Sequence, residues 1–215
     1  MKSFFVCCTY LLIILPFFGC QNNSRVNDKY NTMNNDLNID TIVLGAGCFW
    51  CVEAIFQQVE GVVEVVPGYC NGLSKNPTYE EVCSGSSGHA EVARVLYDSS
   101  IVSFKYLLEV FWQTHDPTTL NRQGNDVGTQ YRSAIFCLNA SQYDIANNYK
   151  SKLEKENIWN SPIVTEVEML DVFYPAEDYH HNYYNNNKSQ GYCKYIIQPK
   201  LEKFKKVFGT FDTTK

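Results

Sequence analysis

The chain has 215 residues, 45% of them apolar, 19% charged and 14% aromatic, with a formal net charge of −5. That composition belongs to a globular protein, not to a disordered, collagen-like or multi-spanning one. The acidic balance and the lack of a strong basic cluster argue against nucleic acid as a partner.

Residues 1–20 read as a targeting segment. Lys2 supplies a short positive start, and Phe4 to Phe18 is a nearly continuous apolar run. It is shorter than the ~20 residues a spanning helix needs and suits a signal peptide. The run ends at Phe17-Phe18-Gly19-Cys20, which resembles a bacterial lipobox, with Cys20 as the lipidated residue. Multiple acyl chains there would give stable anchoring. An exported, membrane-anchored lipoprotein on the cell-envelope face is the expected location, and plain secretion is the alternative. Residues 21–40 are polar and crowded with Asn, from Asn22 to Asn38. They carry too little apolar surface to offset ordering entropy and read as a flexible tether of about 25 Å mean reach. The folded body is then residues 41–215, long enough for one core.

In the body, Thr41–Leu44 reads as a buried strand before Gly45-Ala46-Gly47. Val52, Ile55, Phe56 and Val59 fall at i, i+3, i+4 and i+7, one face of a helix stopped by Gly61. Val62–Val66 is β-branched and predicts a strand turning at Pro67-Gly68. Residues 68–90 are rich in Gly, Ser, Asn and Pro and predict a long loop. Glu91–Tyr97 predicts a strand, and Leu107, Leu108, Phe111 and Trp112 mark a helix entered near Ser103. A polar loop over 116–130, a strand over 131–138, a helix over 141–156 and a half-buried strand over 163–170 follow. Residues 174–198 show no clear period, and 199–208 suggest a short helix. The expected class is α+β: a two-layer sandwich with a ferredoxin-like core and long loops.

Nine Cys are present. With Cys7, Cys8 and Cys20 set aside, Cys48, Cys51, Cys70, Cys83, Cys137 and Cys193 remain. A body of this size and apolar content has no need of disulfide staples. Cys48 and Cys51 form one C-x-x-C with no second pair at zinc-ligand spacing. Cys48 follows a strand and a Gly-x-Gly turn and opens a helix. Unpaired N–H groups at a helix start favour a thiolate, so the position predicts a reactive sulfur. Phe49 and Trp50 beside it are either core or the wall of an apolar pocket.

Gly47-Cys48-Phe49-Trp50-Cys51 resembles the active-site signature of the peptide-methionine (S)-S-oxide reductases. The likeness continues through Val66-Pro67-Gly68-Tyr69, Pro77–Gly85 and Gly88-His89-Ala90-Glu91. It extends to Gly124–Ser133, Glu177-Asp178-Tyr179-His180 and Gly191-Tyr192-Cys193, in order over roughly residues 41–200. The resemblance implies reduction of methionine (S)-sulfoxide, free or peptide-bound, in protein repair. Cys48 matches the nucleophile and Glu91 the acid on the sulfoxide oxygen. Tyr79 and Tyr131 match hydroxyls that hold that oxygen, and Asp126 a carboxylate near the nucleophile. Phe49, Trp50 and Tyr192 match the substrate wall. Attack leaves a sulfenic acid on Cys48. A resolving Cys, Cys193 by preference and Cys51 as the other candidate, closes a disulfide. An external dithiol, thioredoxin in the cell or dithiothreitol in the test tube, then reduces it. No metal or organic cofactor is implied, and a monomer is expected. His180 reads as structural, Cys70, Cys83 and Cys137 as inert, and Lys200, Lys203, Lys205 and Lys206 as a solvated helix face. A thioredoxin-like disulfide oxidoreductase using Cys48 and Cys51 alone is the competing function.

Overall fold

The computed structural model describes residues 38–209. The signal segment, Cys20 and nearly all of the tether lie outside the described residues. In chain order the elements begin with β1 (Ile39–Ala46), α1 (Phe49–Phe56), β2 (Val62–Cys70), α2 (Tyr79–Cys83) and β3 (Ala90–Asp98). They continue with α3 (Phe104–Thr114), β4 (Arg122–Gln123), β5 (Asp126–Val127), β6 (Ser133–Cys137) and α4 (Ala140–Glu156). The last are β7 (Glu166–Met169), β8 (Phe173–Pro175), α5 (Tyr183–Asn186) and α6 (Gln198–Phe208). No helix among the described residues is long and apolar enough to cross a membrane.

Six strands form one sheet in the order β7-β6-β1-β3-β2-β8, so β1 lies between β6 and β3. Its central pairings are antiparallel, whereas β6 and β7 run parallel across the α4 connection. A parallel pair needs such a crossover; a tight turn cannot reverse the chain twice.

Side chains alternate across a strand, and this sorts the two faces. Ile42 and Leu44 of β1, Ala93, Val95 and Tyr97 of β3 and Ile135 of β6 face the large core under the helices. Val43, Val92, Ala134 and Phe136 face a smaller cluster on the other side, closed by Leu170 and Phe173. The same parity puts Tyr69 and Glu91, directly opposed between β2 and β3, on the helix side. Glu91 is therefore a carboxylate in the core, 1% exposed.

α1 is buried nearly all round: only Trp50 among its eight residues is more than marginally accessible. A helix without a polar face belongs inside a molecule. α3 starts at Ser103, whose side chain caps Tyr106 N–H, as the sequence predicts.

Three expectations are corrected. Pro67-Gly68 is not a turn; β2 runs through it to Cys70. The Pro67 carbonyl faces Ala176 beyond β8, accepting its N–H at 3.0 Å. Its ring nitrogen shares that side, so the ladder with β3 loses no donor. The stretch 68–90 is not one loop, because it holds α2, set by a capping box between Thr78 and Glu81. The polar stretch 116–130 contains the small β4–β5 pair and a 3-10 turn over Thr129–Tyr131. Smaller differences are at ends: β1 starts at Ile39 and β7 covers only Glu166–Met169.

Candidate active site

Cys48 is the N-cap of α1 and lies 6% exposed. Cys51 N–H donates to its carbonyl at 3.0 Å, closing the first turn. Gly47 ahead of it has φ +85°, and a Cβ there would stand 2.5 Å from Gln123 Cβ. Only glycine fits both the bend and the approach of β4. Gln123 is itself fixed, its amide bonded to both backbone groups of Asp116.

Phe49 N–H, at the helix start, donates to Glu91 Oε2 at 3.3 Å. Glu91 Oε1 is buried and has no partner. Burial raises the Glu91 carboxyl to about 8, against the Phe49 hydrogen bond and with help from Asp126. At neutral pH it carries its proton and can donate it. Tyr79 and Tyr131 face this group: burial, then for Tyr79 a hydrogen bond with Cys83, and for both the Glu91 charge, hold the phenols well above their usual range. Asp126 accepts the Tyr192 hydroxyl at 2.8 Å, and that oxygen also stands 3.9 Å from Cys51 Sγ.

Phe49 and Trp50 are positioned from the C-terminal segment. Trp50 stacks on Tyr183 with centroids 3.7 Å apart and planes 7° apart, while Tyr192 meets it edge-on. Trp50 Nε1–H donates to His180 Nδ1 at 3.1 Å, which fixes the His180 proton on Nε2. The His180 ring packs on Phe49 and Tyr79 and is 1% exposed, so its role is to hold these rings. Two carboxylates that sequence reasoning left without a role complete the support. Glu53 is 1% exposed and accepts Asn182 N–H at 2.7 Å and Tyr183 N–H at 3.2 Å. Glu177 accepts Tyr69 O–H at 2.8 Å and Tyr79 N–H at 3.0 Å. Their signals were slight: one Glu inside an otherwise apolar helix, the other in a stretch without period.

All six described Cys are free thiols. The expectation of a resting thiolate at Cys48 is corrected. A helix start stabilises an anion by about 0.3–1 kcal/mol, whereas full burial can shift a pKa by several units. Burial wins, and with the adjacent Cys51 it pushes the Cys48 thiol well up. Cys51 is instead drawn down to about 7 by the Cys48 hydrogen bond, with Lys200 assisting against burial. Cys193 is fully buried in a turn of π-helix over Cys193–Ile197; burial raises its thiol, and Cys51 is the neighbour that adds to the rise. Cys70 and Cys137 are buried, with thiols pushed up by desolvation, while Cys83 is exposed on α2.

A cavity of about 470 Å³ is lined by Gln123, Asp126, Tyr192, Tyr195, Ile196 and Lys200, of which Tyr192 reaches Cys51 with its hydroxyl. Lys200 is thus not part of the solvated face expected for it, although Lys203, Lys205 and Lys206 are exposed. A second cavity of about 360 Å³, between the end of α4 and residues 157–163, shares no residue with this site. Among the described residues no group of three or more His, Cys, Asp or Glu is placed to hold a metal ion.

Residues 40–211 match the family described as peptide methionine sulfoxide reductase. A relative from Trichodesmium erythraeum, named peptide methionine sulfoxide reductase MsrA, is 55% identical over 79% of this chain and 96% of its own length. The crystal structure of reduced Mxr1 from Saccharomyces cerevisiae is 32% identical, with a TM-score of 0.68 over 73% of this chain and 90% of that one. Methionine sulfoxide reductase A of Corynebacterium diphtheriae is 38% identical, with a TM-score of 0.65 over 74% and 79% of the two chains. With a sulfur nucleophile, a buried acid and an aromatic wall in one place, and with relatives this similar over nearly their whole length, the chain belongs to the peptide methionine sulfoxide reductase family.

Proposed function

We propose that this chain reduces methionine (S)-sulfoxide, free and in oxidised proteins or peptides, to methionine by thiol chemistry. The observation that carries the reading is the buried Glu91 carboxyl, bonded through Oε2 to the helix start that Cys48 caps and left without a partner at Oε1. A buried carboxyl oxygen without a partner needs an oxygen or nitrogen from outside. A sulfoxide oxygen bonded there brings its sulfur towards Cys48, with its methyl group against Phe49 and Trp50. Tyr79 and Tyr131 add hydroxyls to the same oxygen.

As Cys48 attacks, its proton passes to the lower-pKa Cys51, and Glu91 gives its proton to the departing oxygen. The protonated oxygen moves from the substrate sulfur to the Cys48 sulfur as the bond between the two sulfurs breaks; methionine leaves with that electron pair, and Cys48 is left as a sulfenic acid. Cys51 then attacks Cys48. Cys51 gives up its proton as it attacks; the S–S bond forms, the S–O bond breaks, and the sulfenic hydroxyl takes that one proton and departs as water. Exchange passes the disulfide from Cys51 to Cys193, and an external dithiol of the thioredoxin kind returns two electrons. The Cys48 hydrogen bond to Cys51 on one side, and on the other a Cys193 near enough to feel the Cys51 charge, support this order. The proposal includes export and membrane attachment through lipidated Cys20, checked by fatty-acid labelling lost in Cys20→Ala, and action as a monomer.

The test is an assay of separated sulfoxide epimers with dithiothreitol. Turnover of the S epimer, little of the R epimer, and loss of turnover in Cys48→Ser are expected. Reduction of insulin disulfides without sulfoxide turnover would instead make the chain a disulfide oxidoreductase, and would leave Glu91 idle.

A further inference from the structure

We propose that Lys200 is a positioning residue of the resolving step: its ammonium group, in the wall of the cavity it shares with Tyr192, the neighbour of Cys51, holds Cys51 as the thiolate that attacks oxidised Cys48. The inference rests on the reading above that Cys51 resolves.

Lys200 lies on α6, which packs against α1. Cys193, Ile197, Lys200 and Phe204 follow at spacings of four, three and four, the inward stripe of this segment. Cys193, Ile197 and Phe204 are core residues, and Lys200 is half-buried between them. A lysine on a core stripe holds its stem against apolar neighbours and sends its charge to the nearest polar space. That space is the cavity it shares with Tyr192 and Asp126. Among the described residues Lys200 forms no ion pair with a carboxylate.

The groups facing Cys51 need this cation. Cys48 brings a thiol; Glu91 and Cys193 bring groups whose negative forms oppose a thiolate. Tyr192 approaches at 3.9 Å, but a phenol has one proton, and Tyr192 directs it to Asp126 at 2.8 Å. With that proton committed, Tyr192 offers Cys51 a lone pair. Once Cys48 has become a sulfenic acid, its S–H is gone, and with it the thiol hydrogen bond that Cys48 gave Cys51 in the resting pair. Lys200 is then the positive group left to favour the Cys51 anion. The depressed Cys51 thiol agrees: after the Cys48 hydrogen bond, Lys200 is the largest lowering influence on it.

The experiment follows one turnover in the Cys193→Ser background, where only Cys51 can resolve. Stoichiometric methionine (S)-sulfoxide is added, and the Cys48–Cys51 disulfide is quantified by quenched-flow mass spectrometry from pH 5.5 to 9. The methionine burst, which precedes resolution, calibrates the active fraction in each variant. Lys200→Met should slow disulfide formation at pH 7 by about five- to tenfold and move the midpoint of its pH profile up by about one unit, as expected when a cation leaves a thiolate. Lys200→Arg should keep the midpoint near that of the parent. A uniformly slower rate with an unmoved midpoint would be a packing effect and would overturn the assignment, as would an unchanged rate. A parent that releases no methionine would overturn the reductase reading and this inference with it. A normal burst with no Cys48–Cys51 disulfide would overturn the resolving role of Cys51, and so of Lys200.

Discussion

The two halves of the site are built differently. Cys48, Tyr69 and Glu91 sit on β2, β3 and the start of α1, where strand parity and the sheet register fix them. Trp50 and the tyrosines around it depend on the segment from 177 to 197, a succession of short helical pieces joined by turns. Side-chain carboxylates hold that segment: Glu53 binds Asn182 and Tyr183, Asp126 binds Tyr192, and Glu177 ties its own stretch to Tyr69 and Tyr79. The sheet half suits bond-making, which needs fixed geometry. The turn half suits thiol exchange, in which buried Cys193 must reach a partner, because polar ties can open locally without unfolding the sheet.

The largest expected effect breaks the sheet half. Glu91→Gln keeps the shape but cannot release a proton, and the rate with methionine (S)-sulfoxide should fall by ~10²–10⁴. Its stability should move the other way. Burial raises the Glu91 pKa from 4.5 to about 8, so the folded state binds the proton more tightly than the unfolded chain does. Wild-type stability therefore declines as pH rises between those values, and the deficit is complete above the upper one. At pH 9 Glu91→Gln should be more stable than wild type by a few kcal/mol in urea unfolding. At pH 4 the two should agree. A variant equally stable at both pH values would mean that Glu91 is not a strained acid.

The next test separates the halves. Cys193→Ser should release one methionine per chain at the wild-type rate, while thioredoxin-supported cycling falls by about tenfold or more. Undiminished cycling would confine the redox pair to α1. The smallest effect sharpens the contrast. Glu53→Gln weakens two hydrogen bonds to a buried carboxylate and should cost about 1–3 kcal/mol. Hydrogen exchange should rise over 178–192 and stay unchanged in β1 and β3; a rise spread over the sheet would make the halves one cooperative unit.

The sheet half was legible in the sequence because its period is short and regular. Thr41–Leu44, Glu91–Tyr97 and the Ser103 cap are where the residues predict them. Pro67-Gly68 misled because one strand does not reveal which side its neighbour occupies. Thr78-x-x-Glu81 was a readable helix start inside a segment dominated by turn formers. At Cys48 the helix start that favours a thiolate is visible in the sequence, whereas the burial that raises its thiol is much less so. Lys200 was hidden by its charged neighbours; its spacing from Ile197 and Phe204 was the available signal. Glu177 and His180 gain their partners only through tertiary folding.

The burial of Cys48 has one more consequence. An enzyme that meets oxidised proteins also meets peroxide, which attacks thiolates and drives exposed ones to irreversible acids. A sulfur kept protonated and out of water until its substrate arrives spends little time as such a target, so the feature that slows its ionisation also guards the catalyst against the damage it repairs.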